Sequence, residues 1–174
     1  AMGGAVLFQD ALRERLAIIR PTRALIASCL AAHPPRLTPG IAELVAALAA
    51  RGTAVHLISG GFVEMIAPLA QALGIAGDRV IANRFRFAED GSLLGIDDAC
   101  PTARSGGKGV ALSQLKQRHG YRPLVMVGDG VTDLEARPPA DLFIGFGGVA
   151  VREKVRAEAD WFVTDFAVLV RSLI

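Results

Sequence analysis

Residues 125–136 read VMVGDGVTDLEA, and this stretch decides how the chain is expected to fold. The apolar run over 124–127 predicts a short buried strand, which stops at a Gly-Asp-Gly turn. A second acid, Asp133, follows four residues after Asp129. Carboxylates beside a buried strand are costly unless something pairs with them. Asp129 and Asp133 therefore need a partner.

The composition is that of one globular domain with room for a small appended lobe. The 174 residues are 52% hydrophobic and 21% charged, and the formal net charge is +2. The basic residues are scattered, so nucleic acid is not a favoured partner, and the apolar stretches are too short to span a membrane. Cys29 and Cys100 form no spacing motif. We expect a reduced intracellular compartment.

Hydrophobic periodicity predicts strands that alternate with helices. The predicted helices cover 11–19, 23–32, 41–50, 63–73 and 108–119, with a last one after residue 163. The predicted strands cover 55–58, 80–82, 124–127, 142–144 and 161–163, with a hairpin insertion near 84–97. This alternation predicts a Rossmann-like parallel sheet with helices on both faces. We expect a helical cap lobe over 1–35 and an α/β core over 36–174.

Polar side chains follow the predicted strands at the ends where an open parallel sheet binds its ligands. Ser59 follows one strand, Asp129 and Asp133 follow another, and Lys108 begins the helix before the second. This set suits a phosphoryl group, because hydroxyl and backbone N–H groups can cradle it while lysine balances its charge. A carboxylate-held Mg²⁺ neutralises the rest. Mg²⁺ is thus the expected partner of Asp129, with Asp133 supporting it from behind.

Each of these residues also has an ordinary structural interpretation. Ser59 could cap the following helix, Lys108 could be a solvated first-turn lysine, and Asp133 could lie on the surface or cap a helix. The neighbouring glycines favour a shared site, since they let the backbone approach a ligand. His56 is predicted inside a strand, with a structural role.

Six segments together resemble the phosphoserine phosphatase family of the haloacid dehalogenase-like superfamily. They are AMGGAVLFQDALRERL, LTPGIAELVAALAARG, VHLISGGF, PTARSGGKG, VMVGDGVTDLEARPPADLFIGFGG and WFVTDF. The resemblance implies hydrolysis of O-phospho-L-serine to L-serine and phosphate, the last step of serine biosynthesis, through an aspartyl-phosphate and with Mg²⁺. It also implies a cytoplasmic or plastid enzyme with a small-molecule substrate, and is compatible with a homodimer.

The family's phosphate-binding residues carry over by position. Ser59 matches the hydroxyl that binds the substrate phosphate, and Gly60 lends its backbone N–H. Thr132 matches a residue close to the phosphate. Lys108 matches the lysine that steadies the nucleophile and the phosphoryl charge.

The metal and cap residues carry over in the same way. Asp129 matches the Mg²⁺ ligand, and Asp133 matches the supporting acid that belongs with Lys108 to the catalytic set. Met2, Gly3 and Arg15 match cap residues that enclose the serine part of the substrate. The guanidinium fork of Arg15 suits the substrate carboxylate.

The sequence departs from the family at the first motif, a strand ending in Asp-x-Asp-x-Thr. Its first aspartate is the family's nucleophile and its second the general acid and base, and the 174 residues contain no such motif. Asp10 and Asp97-Asp98 are no substitutes. We therefore expect the first core strand to be missing and this chain alone to be inactive. The alternative is a truncated, non-catalytic protein that binds a ligand or partner.

Overall fold

The computed structural model describes residues 7–173. Its helices are α1 (Phe8–Ile19), α2 (Arg23–Ala32), α3 (Ile41–Ala50), α4 (Val63–Ala72), α5 (Gly107–His119), α6 (Val131–Leu134), α7 (Glu153–Glu158) and α8 (Phe166–Ser172). Its strands are β1 (Leu57–Phe62), β2 (Val80–Asn83), β3 (Phe85–Phe87), β4 (Leu93–Ile96), β5 (Val125–Gly128), β6 (Leu142–Phe146) and β7 (Trp161–Val163). Short 3-10 helices cover Gly77–Arg79 and Pro101–Ala103.

The chain forms two compact units. The first comprises the described residues up to Arg36 together with Leu57–Gly107. In it, β1 and β2 pair in parallel, β3 and β4 form an antiparallel hairpin, and α4 packs against both parallel strands. The rings of Phe62 and Phe85 stack with centroids 3.7 Å apart. This unit is therefore a β-α-β element with a hairpin and the first two helices.

The second unit comprises Leu37–His56 and the described residues from Lys108 onward. Its sheet is parallel throughout, in the order β5-β6-β7. Leu44 of α3 joins residues of β6, β7 and α8 in a buried apolar cluster, in which the rings of Phe146 and Phe166 stack at 4.0 Å. Burial of this apolar surface stabilises the unit.

The predicted α/β class with parallel strands is confirmed, and several predicted bounds are correct. Helices 23–32 and 41–50 and strand 161–163 have the predicted limits. In the described residues the parallel strands form a sheet of two and a sheet of three. The cap lobe over 1–35 and the core over 36–174 stay predictions. No helix in the described part has both the length and the apolar character to cross a membrane.

The predicted limits of the strand at 55–58 were wrong, because β1 runs from Leu57 to Phe62. Ile58 pairs with Ile81, and Phe62 pairs with Asn83. Three residues of β1 thus lie opposite one residue of β2, which is a bulge. Ser59 and Gly60 lie inside this bulged strand and not after it, and His56 precedes it.

Two acids connect neighbouring strands at the amino-terminal ends of the β5-β6-β7 sheet. Asp141 precedes β6, and its carboxylate accepts a 2.7 Å hydrogen bond from the N–H just before β5 and a 2.6 Å bond from Lys116 Nζ. Asp160 precedes β7 and accepts from the N–H of Phe143 at 2.8 Å and from Arg137. The Lys116 bond chiefly lowers the pKa of Asp141, and the Phe143 bond chiefly lowers the pKa of Asp160. Both charged carboxylates thus hold neighbouring strands together through hydrogen bonds.

The turn from β5 into α6 requires glycine at position 128. A Cβ on Gly128 would lie 2.2 Å from Cγ of Asp133. The Asp133 carboxylate folds back over the strand end and accepts the N–H of Gly130 at 3.0 Å. This bond satisfies one of the orphan N–H groups at the beginning of α6. The glycine therefore makes room for a protein side chain.

We predict that Gly128→Ala destabilises the protein by about 1–3 kcal/mol, the usual cost of overpacking, because the new methyl group displaces the Asp133 carboxylate. Urea denaturation measures this change. Gly109→Ala is the matched control: it lies in α5, where an added Cβ would meet its nearest neighbour at 3.7 Å. The control should gain about 0.5–1 kcal/mol from the better helix former. Equal stability of Gly128→Ala and the unmodified protein would contradict the packing described.

Candidate functional site

A buried ion pair lies at the carboxyl end of β5. Nζ of Lys108, in the first turn of α5, donates to Oδ1 of Asp133 at 2.5 Å. The two side chains are only 17% and 6% exposed. Oδ2 of Asp133 accepts the Gly130 N–H. The solvated-lysine and surface-acid interpretations were therefore wrong, whereas the helix-capping interpretation of Asp133 is confirmed.

Asp129 lies in a different environment from Asp133. Its side chain is 50% exposed, and its Oδ2 lies 3.5 Å from Nη2 of Arg152, which is itself about half exposed. Such a distance and exposure make a weak ion pair. The Asp129 carboxylate is therefore accessible to a ligand at the end of β5.

Asp129 provides one carboxylate that is suited to bind a hard cation such as Mg²⁺. Carboxylate oxygens are what Mg²⁺ prefers, and Asp129 presents its oxygens to solvent. Within residues 7–173, no group of three or more His, Cys, Asp or Glu is arranged to hold a metal ion. Asp129 thus offers one carboxylate of the kind that Mg²⁺ prefers.

Thr132 lies in the first turn of α6, between the two acids in sequence, and is exposed. The structure therefore brings Lys108 and Asp133 into direct contact and leaves Asp129 and Thr132 facing outward at the same strand end.

Ser59 and Gly60 belong to the first unit, within the bulge of β1. Oγ of Ser59 accepts the N–H of Gly61 at 3.0 Å. The N-cap of α4 is Phe62, without a side-chain capping bond, so the helix-cap interpretation of Ser59 was wrong. The carbonyl of Gly60 accepts from Nδ2 of Asn83 at 2.8 Å. The Ser59 hydroxyl is thus held in a local turn that leaves its proton able to donate.

Arg15 lies on an exposed face of α1, so its guanidinium is accessible to a ligand. Met2 and Gly3 lie outside the described residues. The substrate-enclosing role of all three stays a prediction.

Sequence reasoning missed several residues that shape these two strand ends. They are Phe8, Asn83, Thr102 and Arg152. Asn83 carries a usable signal, because it directly follows an apolar run. The remaining three carry none, since their contacts join segments far apart in sequence.

Comparisons with known proteins agree on one family. A family model described as haloacid dehalogenase-like hydrolase matches residues 4–136. Phosphoserine phosphatase from Bos taurus is 50% identical over 173 residues, which cover 99% of this chain and 77% of the relative.

Solved structures give the same result. A phosphoserine phosphohydrolase-like protein from Francisella tularensis superposes with a TM-score of 0.83 at 30% identity, covering 98% of this chain and 79% of that one. A phospho-aspartyl intermediate analogue of phosphoserine phosphatase superposes with a TM-score of 0.80 at 25% identity, covering 99% and 80%. The chain belongs to the phosphoserine phosphatase family of the haloacid dehalogenase-like hydrolases.

Proposed function

We propose that this protein hydrolyses O-phospho-L-serine to L-serine and phosphate, as the last step of serine biosynthesis. The observation that carries the proposal is the end of β5, where a buried lysine is paired with one acid while a second acid faces solvent. This arrangement occurs in a chain that is 50% identical to bovine phosphoserine phosphatase. A cationic group and an accessible carboxylate at a strand end suit a phosphoryl substrate.

In this proposal, Ser59, Gly60 and Thr132 bind the phosphate. The Ser59 oxygen already accepts the Gly61 N–H, so its own proton is the one directed to a phosphate oxygen. The N–H of Gly60 adds a backbone donor. The exposed hydroxyl of Thr132 supplies another donor at the end of β5.

Lys108 supplies the positive charge, and Asp133 holds it in place. The Lys108 ammonium offsets charge on the phosphoryl oxygens and on an attacking carboxylate. Asp133 uses one oxygen for Lys108 and the other for Gly130. It is therefore engaged on both sides and fixes the position of Lys108.

The attacking carboxylate comes from outside these 174 residues, which contain no Asp-x-Asp-x-Thr motif. One carboxylate oxygen forms a bond to phosphorus while the ester bond between phosphorus and the serine oxygen breaks. The second aspartate of the motif donates a proton to the leaving serine oxygen. Water then attacks the phosphorus of the aspartyl-phosphate and transfers a proton to the second aspartate, while the bond between phosphorus and the first aspartate's oxygen breaks. Phosphate is released, and the attacking carboxylate is restored.

Asp129 would hold Mg²⁺ in this proposal. When bound, the ion supplies positive charge that neutralises the phosphoryl oxygens. The half-exposed Asp129 carboxylate and its 3.5 Å separation from Arg152 support this role. The cytoplasmic location, the plastid alternative and the homodimer stay predictions.

The test is phosphate release from phosphoserine by the purified chain, with and without a fused segment that carries an Asp-x-Asp-x-Thr strand. We expect no turnover by the chain alone and Mg²⁺-dependent turnover by the fusion. Asp129→Asn should abolish the activity of the fusion, whereas Asp78→Asn, a substitution of an exposed acid in the 3-10 helix Gly77–Arg79, should leave it unchanged.

Turnover by the chain alone would contradict the proposed nucleophile. A folded fusion that binds phosphoserine but never releases phosphate would instead support the non-catalytic alternative.

A second prediction concerns Arg15 and uses the same fusion. Arg15→Ala should raise KM for phosphoserine about 10- to 100-fold, since a hydrogen bond to a charged group contributes about 1.5–3 kcal/mol. Its KM for a phosphate ester without a carboxylate should hardly change. Arg13→Ala is the matched control, because Arg13 is exposed on the same helix and lies 3.6 Å from Asp10. Equal effects of Arg15→Ala on both substrates would remove Arg15 from carboxylate recognition.

A further inference from the structure

The bulge of β1 is held by a side chain of the neighbouring strand. Residues 59–61 of β1 lie opposite the single residue Ala82 of β2, so the regular ladder is interrupted there. Nδ2 of Asn83, at the end of β2, donates to the carbonyl of Gly60 at 2.8 Å. A side-chain amide thus bonds to the backbone inside the bulge.

Asn83 is fully buried and is itself oriented by a second buried residue. Its exposed fraction is 0%, and that of Thr102 is 3%. Oγ1 of Thr102, in the 3-10 helix Pro101–Ala103, donates to Oδ1 of Asn83 at 2.9 Å. The Gly60 carbonyl can only accept, so the amide nitrogen must face it and the amide oxygen must face Thr102. The Thr102 hydroxyl must therefore be the donor.

The peptide group between Gly60 and Gly61 links Asn83 to Ser59. The carbonyl of Gly60 and the N–H of Gly61 belong to one planar peptide group, and that N–H donates to Oγ of Ser59 at 3.0 Å. The ring of Phe8 confines Gly60, since a Cβ there would lie 2.9 Å from its Cζ. A continuous set of contacts therefore runs from the Thr102 hydroxyl to the Ser59 hydroxyl.

We propose that Asn83 and Thr102 are positioning residues, which fix the bulge of β1 so that the Ser59 hydroxyl donates its proton to a phosphate oxygen. The proposal rests on the phosphate-binding role proposed for Ser59 above. In this proposal, neither Asn83 nor Thr102 contacts the substrate. They act by holding the Gly60–Gly61 peptide, which in turn holds Ser59.

The test measures the dissociation constant of inorganic phosphate by ³¹P NMR titration of the fused protein. Thr102→Val removes the hydroxyl but keeps the shape, and should weaken phosphate binding about 3- to 10-fold. Thr102→Ser keeps the donor and should retain the original affinity. Thermal unfolding shows which variants are folded, and Thr102→Ala removes the same hydroxyl with less bulk if Thr102→Val does not fold.

A double-mutant cycle with Ser59→Ala separates positioning from general stability. In the Ser59→Ala background, Thr102→Val should cause no further loss of phosphate affinity, because its effect acts through Ser59. Equal losses in both backgrounds, or no loss in either, would overturn the positioning role. Phosphate binding that Ser59→Ala leaves unchanged would instead overturn the proposed role of Ser59 and, with it, this inference.

Discussion

The ion pair between Lys108 and Asp133 fixes the geometry of the proposed catalytic end of β5. It joins the first turn of α5 to the first turn of α6, with 2.5 Å between Nζ and Oδ1. Both side chains are largely removed from water, so removing one partner would leave a poorly solvated charge. Gly128 has to be glycine because a Cβ there would lie 2.2 Å from Cγ of Asp133. The pair thus dictates the adjoining backbone as well as the position of the lysine.

Because of this pair, Asp133 and Asp129 have different roles available to them. Asp133 is committed on both oxygens, to Lys108 and to the Gly130 N–H. Asp129 is half exposed and only weakly paired with Arg152. Two carboxylates four residues apart therefore have different chemistry available: one organises the protein, and the other can bind a ligand.

The sequence was informative where residues that start or stop helices mark the ends of an element. The helices over 23–32 and 41–50 are followed by Pro34-Pro35 and by Gly52, and both were predicted at their true bounds. The strand β1 was not, because Ser59, Gly60 and Gly61 carry no apolar signal, and their place in the strand depends on pairing with β2. Strand limits of this kind follow from a partner strand and not from local preference.

The candidate site shows a similar division. Residue types and motif spacing predicted that Lys108, Asp129 and Asp133 belong to one phosphoryl- and Mg²⁺-binding site. The structure shows that Lys108 and Asp133 are in direct contact. The glycines were interpreted as room for a ligand, yet the nearest neighbour at Gly128 is the Asp133 carboxylate. The buried Asn83 escaped prediction because its bonds to Gly60 and Thr102 span 23 and 19 residues. No periodic pattern records such contacts.

A double-mutant cycle on the free energy of unfolding tests the central pair most directly, with the variants Lys108→Met, Asp133→Asn and the two combined. We predict a coupling energy of about 1–3 kcal/mol, as expected for residues in direct contact. The exposed pair of Lys116 and Asp141 should couple by less than about 1 kcal/mol under the same conditions. Additive effects of the Lys108 and Asp133 substitutions, within about 0.5 kcal/mol, would contradict the account.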